Sequence, residues 1–141
     1  MQLIHETLKQ EEEKLAVTSF LFEVSEHDNP FLAPLIKAMM EIKDAGSEIQ
    51  LDAAEDANQD AFSLDLLIQD AISGPYFSYS GSLTYPPCTA VRHYMVFRVP
   101  LDISSNQLAQ FRLLLQHDGS SMVDNFRPVQ AMGKRILAFT M

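Results

Sequence analysis

Apolar and polar positions follow two different rhythms along this chain. Lys14 to Val24 reads KLAVTSFLFEV, almost unbroken apolar, rich in β-branched and aromatic side chains and flanked by charge. Such a run predicts one strand buried on both faces, central in a sheet. Glu11-Glu12-Glu13-Lys14 reads as a solvated connection before it, and Gln2–His5 as a short preceding strand. Asn29-Pro30 predicts a helix start, because Asn29 can cap and Pro30 lacks only an N–H that would be unpaired there. Leu32, Leu35, Ile36, Met39 and Ile42 follow at helical spacing, with Gly46 as the stop. Asp52 to Asp60 is acidic and unpatterned and reads as a surface loop. Leu64 to Ile68 reads as a short turn of helix or an extended piece.

The second half is punctuated as short strands. Tyr76-Phe77-Ser78-Tyr79 alternates and ends at Gly81. Val91 to Val99 places Val91, His93, Met95, Phe97 and Val99 on one face at period two, with Arg92 and Arg98 on the other. Ser104-Ser105-Asn106-Gln107 has the form of a capping box, followed by Leu108, Phe111 and Leu115 as a buried stripe. Arg135 to Thr140 reads as a last strand. Helices placed among strands without a strict βαβ rhythm predict an α+β fold, mainly β, in which a sheet carries peripheral helices.

Composition narrows the chemistry. The 141 residues leave room for a single domain, 1–141, and the 47% hydrophobic share is too high for disorder. Net charge is −9, divided unevenly: residues 1–70 hold 16 acidic and 4 basic side chains, residues 71–141 hold 3 and 6. The acidic half repels phosphate, and Arg92, Arg98, Arg112, Arg127 and Arg135 are too spread for a basic stripe, so neither nucleic acid nor an anionic membrane is expected as partner. No apolar run reaches a membrane span, and Met1-Gln2-Leu3-Ile4-His5-Glu6 has no signal-peptide features. The sole cysteine, Cys88, excludes an internal disulfide framework. His5, His27, His93 and His117 lack metal-ligand spacing, Ser82 stands outside any nucleophile elbow, and no glycine-rich phosphate loop occurs.

One stretch carries more. Tyr79-Ser80-Gly81-Ser82-Leu83-Thr84-Tyr85-Pro86-Pro87-Cys88 closely resembles the Tyr-x-Gly-Ser-Leu-Thr-Thr-Pro-Pro-Cys stretch of the alpha-class carbonic anhydrases. Leu15-Ala16-Val17 with Phe22-Glu23-Val24 resembles that family's central strand, and Asp28-Asn29-Pro30 its following turn. Ser105-Asn106-Gln107-Leu108 is similar to its helix start, and Asp124-Asn125-Phe126-Arg127-Pro128-Val129-Gln130 with Arg135 to its C-terminal signature. The resemblance runs from Met1 to Phe139. It implies the family's open, twisted, mostly antiparallel sheet, of which this chain resembles the C-terminal half, and a cis bond at Pro86-Pro87.

The resemblance also says what to look for at the site. The family holds zinc on a His-x-His pair and a third histidine; the bound water, its pKa lowered to about 7, attacks carbon dioxide as hydroxide. The His-x-His strand lies before residue 1 in the family pattern. Where the family reads Leu-His-Leu-Val-His, this chain reads Met1-Gln2-Leu3-Ile4-His5, so Gln2 takes the third ligand position, as in the silent carbonic anhydrase-related proteins. An amide oxygen is a far weaker zinc ligand than imidazole nitrogen. Thr84 matches the gatekeeper threonine that orients the zinc hydroxide, Val17 and Leu83 match apolar walls of the substrate site, and Tyr85 replaces a second threonine and narrows it. These positions are implied to be vestigial, with no bound cofactor. Cys88 matches one half of a disulfide of extracellular members. Two functions stay open: a zinc-free, inactive chain serving as a protein-interaction module, or a fragment of a zinc-dependent carbonic anhydrase whose ligands lie outside it. Uncovered sheet edges and apolar surface imply self-association.

Overall fold

The computed structural model describes residues 1–7, 15–51 and 61–141, so the Glu11–Lys14 connection and the Asp52–Asp60 loop lie outside the described residues. The described residues form seven strands: β1 (Gln2–Glu6), β2 (Leu15–Ser19), β3 (Phe22–Ser25), β4 (Tyr76–Ser82), β5 (Ala90–Phe97), β6 (Leu101–Ser104) and β7 (Ala138–Thr140). Among the described residues three short α-helices accompany them, α1 (Ala33–Met39), α2 (Leu64–Ile72) and α3 (Ser105–Phe111). The protein is mainly sheet, and the sheet is mixed but largely antiparallel.

One compact unit comprises Met1–Leu21, Asp70–Pro100 and Phe126–Met141. It holds a five-stranded sheet in the order β1-β2-β5-β4-β7, in which only β2 and β5 run parallel. Val17, Leu83, Val91 and Tyr94 form its core cluster, with Leu15 and Tyr79 packed against it. Phe20 stacks on Phe97 with ring centroids 5.0 Å apart.

The other unit comprises Phe22–Gln69 and Leu101–Asn125. Here β3 and β6 pair in parallel. Asn29 caps a 3₁₀ turn, Pro30–Leu32, by accepting from the Phe31 N–H at 3.0 Å, and α1 continues from it. The capping box at Ser104 is complete: its Oγ accepts from Gln107 N at 3.1 Å, while Gln107 Oε1 accepts from Ser104 N at 3.2 Å. The same Gln107 amide reaches further. Its Oε1 accepts from Asn29 N at 2.9 Å and its Nε2 donates to Asn29 O at 2.8 Å. Asn29 Nδ2 donates to Asp102 O at 2.9 Å, and Ser104 Oγ donates to Asp28 Oδ1. Two motifs far apart in sequence are thereby one polar knot, centred on the buried Ser104 and Gln107.

The elements depart from the sequence pattern in seven places. The Lys14–Val24 run is not one strand: β2 ends at Ser19, Phe20 bonds Met1 in both directions through its backbone while its ring stacks on Phe97, and β3 pairs in a separate, more exposed two-stranded sheet. The helix after Pro30 does not run to Gly46; it passes from a 3₁₀ turn into α1 at Pro34 and ends at Met39, and Gly46, with φ +86°, serves a later turn. α2 is longer than Leu64–Ile68 because Ser63 Oγ caps it at Leu66 N, and Leu67, Ile68 and Ala71 are buried. β4 runs through Gly81 instead of ending there. A Cβ at Gly81 would stand 3.2 Å from the Tyr94 ring and 3.3 Å from the Tyr79 ring, so the glycine admits a close aromatic pair. The period-two face of β5 is broken, since the register slips between Tyr79 and Gly81 and gives β5 one extra residue. Val91 and Tyr94 therefore share the buried face while His93 is exposed, and Val99 lies beyond the strand end, ahead of Pro100. Finally, β7 is only Ala138–Thr140, because Arg135 is occupied with local carbonyls, and Leu115 lies past the end of α3.

Candidate functional site

Gln2 opens β1 on the sheet edge and pairs with Ser19, whereas β4 ends at Ser82 opposite Ala90. The loop leaving β4 nevertheless carries Thr84 back, so that its Oγ1 donates to Gln2 Oε1 across a long 3.4 Å hydrogen bond. The loop is closed by Leu83 N to Thr89 O at 2.9 Å and Cys88 N to Tyr85 O at 2.8 Å, with a cis bond at Pro86-Pro87 and Cys88 at φ 60°. Of the residues singled out from the sequence, the structure thus brings Gln2 and Thr84 together.

Those two side chains border a cavity of about 360 Å³, whose walls include Tyr79, Tyr94, Arg127 and Leu137. Tyr79 and Tyr94 stack at 5.2 Å with planes 7° apart. Tyr94 Oη donates to Ser82 O at 2.9 Å. Burial pushes the Tyr94 phenol above its ordinary pKa; Tyr79 adds to that shift and Arg127 opposes it. Arg127 Nη1 donates to Ser82 Oγ at 2.5 Å and to Leu83 O at 3.3 Å, tying the C-terminal segment to the end of β4.

The remaining candidates are placed elsewhere. Val17, fully buried, and Leu83 belong to the core cluster beneath the site and do not line this cavity. Tyr85 is half exposed at the loop tip and does not line it either. His5 Nε2 lies 3.1 Å from Thr18 Oγ1 within the β1–β2 pair. Sequence reasoning passed over Tyr94, whose side of β5 is set by the bulge, and left Arg127 without a role. A signal for Arg127 existed in the Asp124–Gln130 stretch, but its partners lie more than forty residues away.

The donor set can be tested against zinc. Among the described residues, no group of three His, Cys, Asp or Glu side chains is placed to hold a metal ion. At the Gln2 position the available donors are an amide and a hydroxyl already bonded to each other. The described residues do not fit a zinc ion.

These features define a largely antiparallel sheet protein whose candidate site sits where a sheet edge meets the loop after β4. The family model for eukaryotic-type carbonic anhydrase matches residues 2–140, and the chain belongs to that family. It is 31% identical over 142 residues to carbonic anhydrase 4 of Mus musculus, an alignment covering 96% of this chain and 44% of that protein. It is 38% identical over 85 residues to the carbonic anhydrase-related protein of Homo sapiens, covering 54% of this chain and 29% of that protein. The chain thus spans less than half the length of the curated relatives it matches.

Proposed function

We propose that this chain by itself holds no zinc, hydrates no carbon dioxide, and works as a protein-interaction module on a carbonic anhydrase scaffold. The observation that carries this reading is the Gln2–Thr84 hydrogen bond. The resemblance puts Gln2 at the family's third zinc-ligand position and Thr84 at its gatekeeper position. A neutral amide that accepts the gatekeeper's proton replaces the imidazole that would bind metal, and Thr84 is left to position a nucleophile that no group here generates. Val17 and Leu83 then serve packing, and Tyr85 occupies a loop surface. The test is zinc stoichiometry after dialysis together with stopped-flow hydration in added zinc, for the parent, Gln2→His and Thr84→Ala. All three are expected at background, because Gln2→His restores one ligand of three. One zinc per parent chain, lost in Gln2→Ala, with turnover that Thr84→Ala abolishes, overturns the reading.

The match to carbonic anhydrase 4 over 96% of this chain favours a second reading, in which these residues are a segment of a zinc-dependent carbonic anhydrase. The transcript upstream of Met1 separates the two. An in-frame His-x-His strand supports the enzyme; its absence, or a replaced histidine, supports the silent module.

Self-association belongs to the first reading. Val129, Ile136 and Phe126 are 100%, 83% and 74% exposed, and β1 and β7 form the edges of the five-stranded sheet. Apolar surface beside open edges favours pairing between copies. Sedimentation velocity across a concentration series is expected to show a rising mean mass, and a constant monomer mass would remove this element.

A further inference from the structure

A second cavity, about 840 Å³ and separate from the Gln2–Thr84 pair, opens on the five-stranded unit where β4, β5 and the C-terminal segment approach. Arg92, Arg127 and Arg135 all line it, and none of its lining residues among the described ones is acidic. Leu15, Val91 and Ala131 supply apolar wall.

Two of these guanidinium groups, those of Arg127 and Arg135, are not equivalent to solvated surface charges. Arg127 is half buried and anchored through Nη1 alone, on Ser82 Oγ and Leu83 O, so its Nε and Nη2 donors are unengaged among the described residues. Arg135 is half buried too. Its Nε donates to Met132 O at 2.9 Å, and its Nη2 donates to Gln130 O at 3.2 Å and to Ala131 O, leaving Nη1 unengaged. Arg92 is exposed and makes no hydrogen bond or ion pair among the described residues. Among the described residues, every partner of the two anchored arginines is a neutral oxygen and no carboxylate pairs with them. Their positive charge is held in place beside low-dielectric wall that focuses its field. Arg127, held through Nη1, keeps its Nε–Nη2 edge as an ordered fork, the geometry that carboxylate and phosphate match, and Arg135 adds its Nη1 group.

We propose that this cavity is an oxyanion site, taking a carboxylate or phosphate group on the unengaged donors of Arg127 and Arg135, with Arg92 closing the charge from the β5 side. The site is independent of the metal question, since no residue of it is a zinc-ligand candidate.

The test titrates the full chain with inorganic phosphate, phenyl phosphate and benzoate while following the arginine Nε–H resonances by NMR. Arg127 and Arg135 signals are expected to shift and saturate at roughly millimolar concentration with at least one probe, and the tighter probe identifies phosphate or carboxylate as the group bound. Arg92→Gln touches no bond of the fold and is expected to weaken binding about tenfold, the loss of one charge-assisted contact. Arg127→Lys keeps the charge but loses the fork and is expected to weaken it similarly, with an unchanged circular dichroism spectrum as the folding control. No saturation with any probe, equal shifts with uncharged benzyl alcohol, or parental affinity in Arg92→Gln would each overturn the proposal.

Discussion

The two compact units hold short elements together by opposite means. In the five-stranded unit the centre is apolar: Val17 on β2, Val91 and Tyr94 on β5 and Leu83 just past β4 pack together, and hydrogen bonding is mostly the ladder itself. In the other unit, the buried residue of α3 is Gln107, and its amide joins the Asn29 turn to the α3 cap. Apolar packing is non-directional and tolerates small misfits, at a cost proportional to the volume lost. A polar knot is all or none, because each buried group left unpaired loses its solvation without replacement. The same chain therefore contains one region expected to degrade gradually under mutation and another expected to fail abruptly.

Gln107→Leu sharpens that contrast most. It strips partners from Asn29 N, Asn29 O and Ser104 N at once, and is expected to cost about 3 kcal/mol, read as a fall in the urea midpoint. A loss under about 1 kcal/mol would show that the knot is decorative. Val17→Ala removes two methyl groups from a fully buried position and is expected to cost about 2 kcal/mol by the same measurement. If it costs more than Gln107→Leu, the proposed ordering of the two regions is reversed.

Tyr94 tests a polar link made by a member of the apolar cluster. Its pKa is raised in the folded protein, so its contribution is fully present below the ordinary tyrosine value of about 10 and is lost as pH rises through the folded value. Stability is therefore expected to fall on the alkaline side. Tyr94→Phe is expected to cost about 1 kcal/mol at neutral pH, through the lost bond to Ser82 O, and to flatten the alkaline fall. An alkaline limb identical in parent and Tyr94→Phe would refute the assignment. The smallest effect has the opposite sign. Ser19 Oγ is buried without a partner among the described residues, so Ser19→Ala is expected to stabilise by up to about 1 kcal/mol; a destabilised variant would reveal a partner for that hydroxyl.

Local signals were readable wherever the physics is local. The Asn29 cap, the Ser104–Gln107 capping box and the strand character of Gln2–His5 and Tyr76–Tyr79 depend on residues within a few positions of one another. The ordered motif series from Leu15 to Arg135 was enough to indicate the carbonic anhydrase family before any geometry was known. It also singled out Gln2 and Thr84, which meet in space although 82 positions apart.

What the sequence alone determined, then, was membership and local punctuation: which family, where turns and caps fall, and which residue types are present for chemistry. Tertiary structure decided the rest. One extra residue in β5 moved Tyr94 to the buried face, a shift invisible to any period-two count because alternation inverts at a bulge. Phe20, just past β2, stacks on Phe97, a contact made across 77 positions of chain. Arg127 acquired its role from Ser82 and Leu83, and Gln107 from Asn29, because a hydrogen bond depends on distance in space and leaves no periodic trace along the chain.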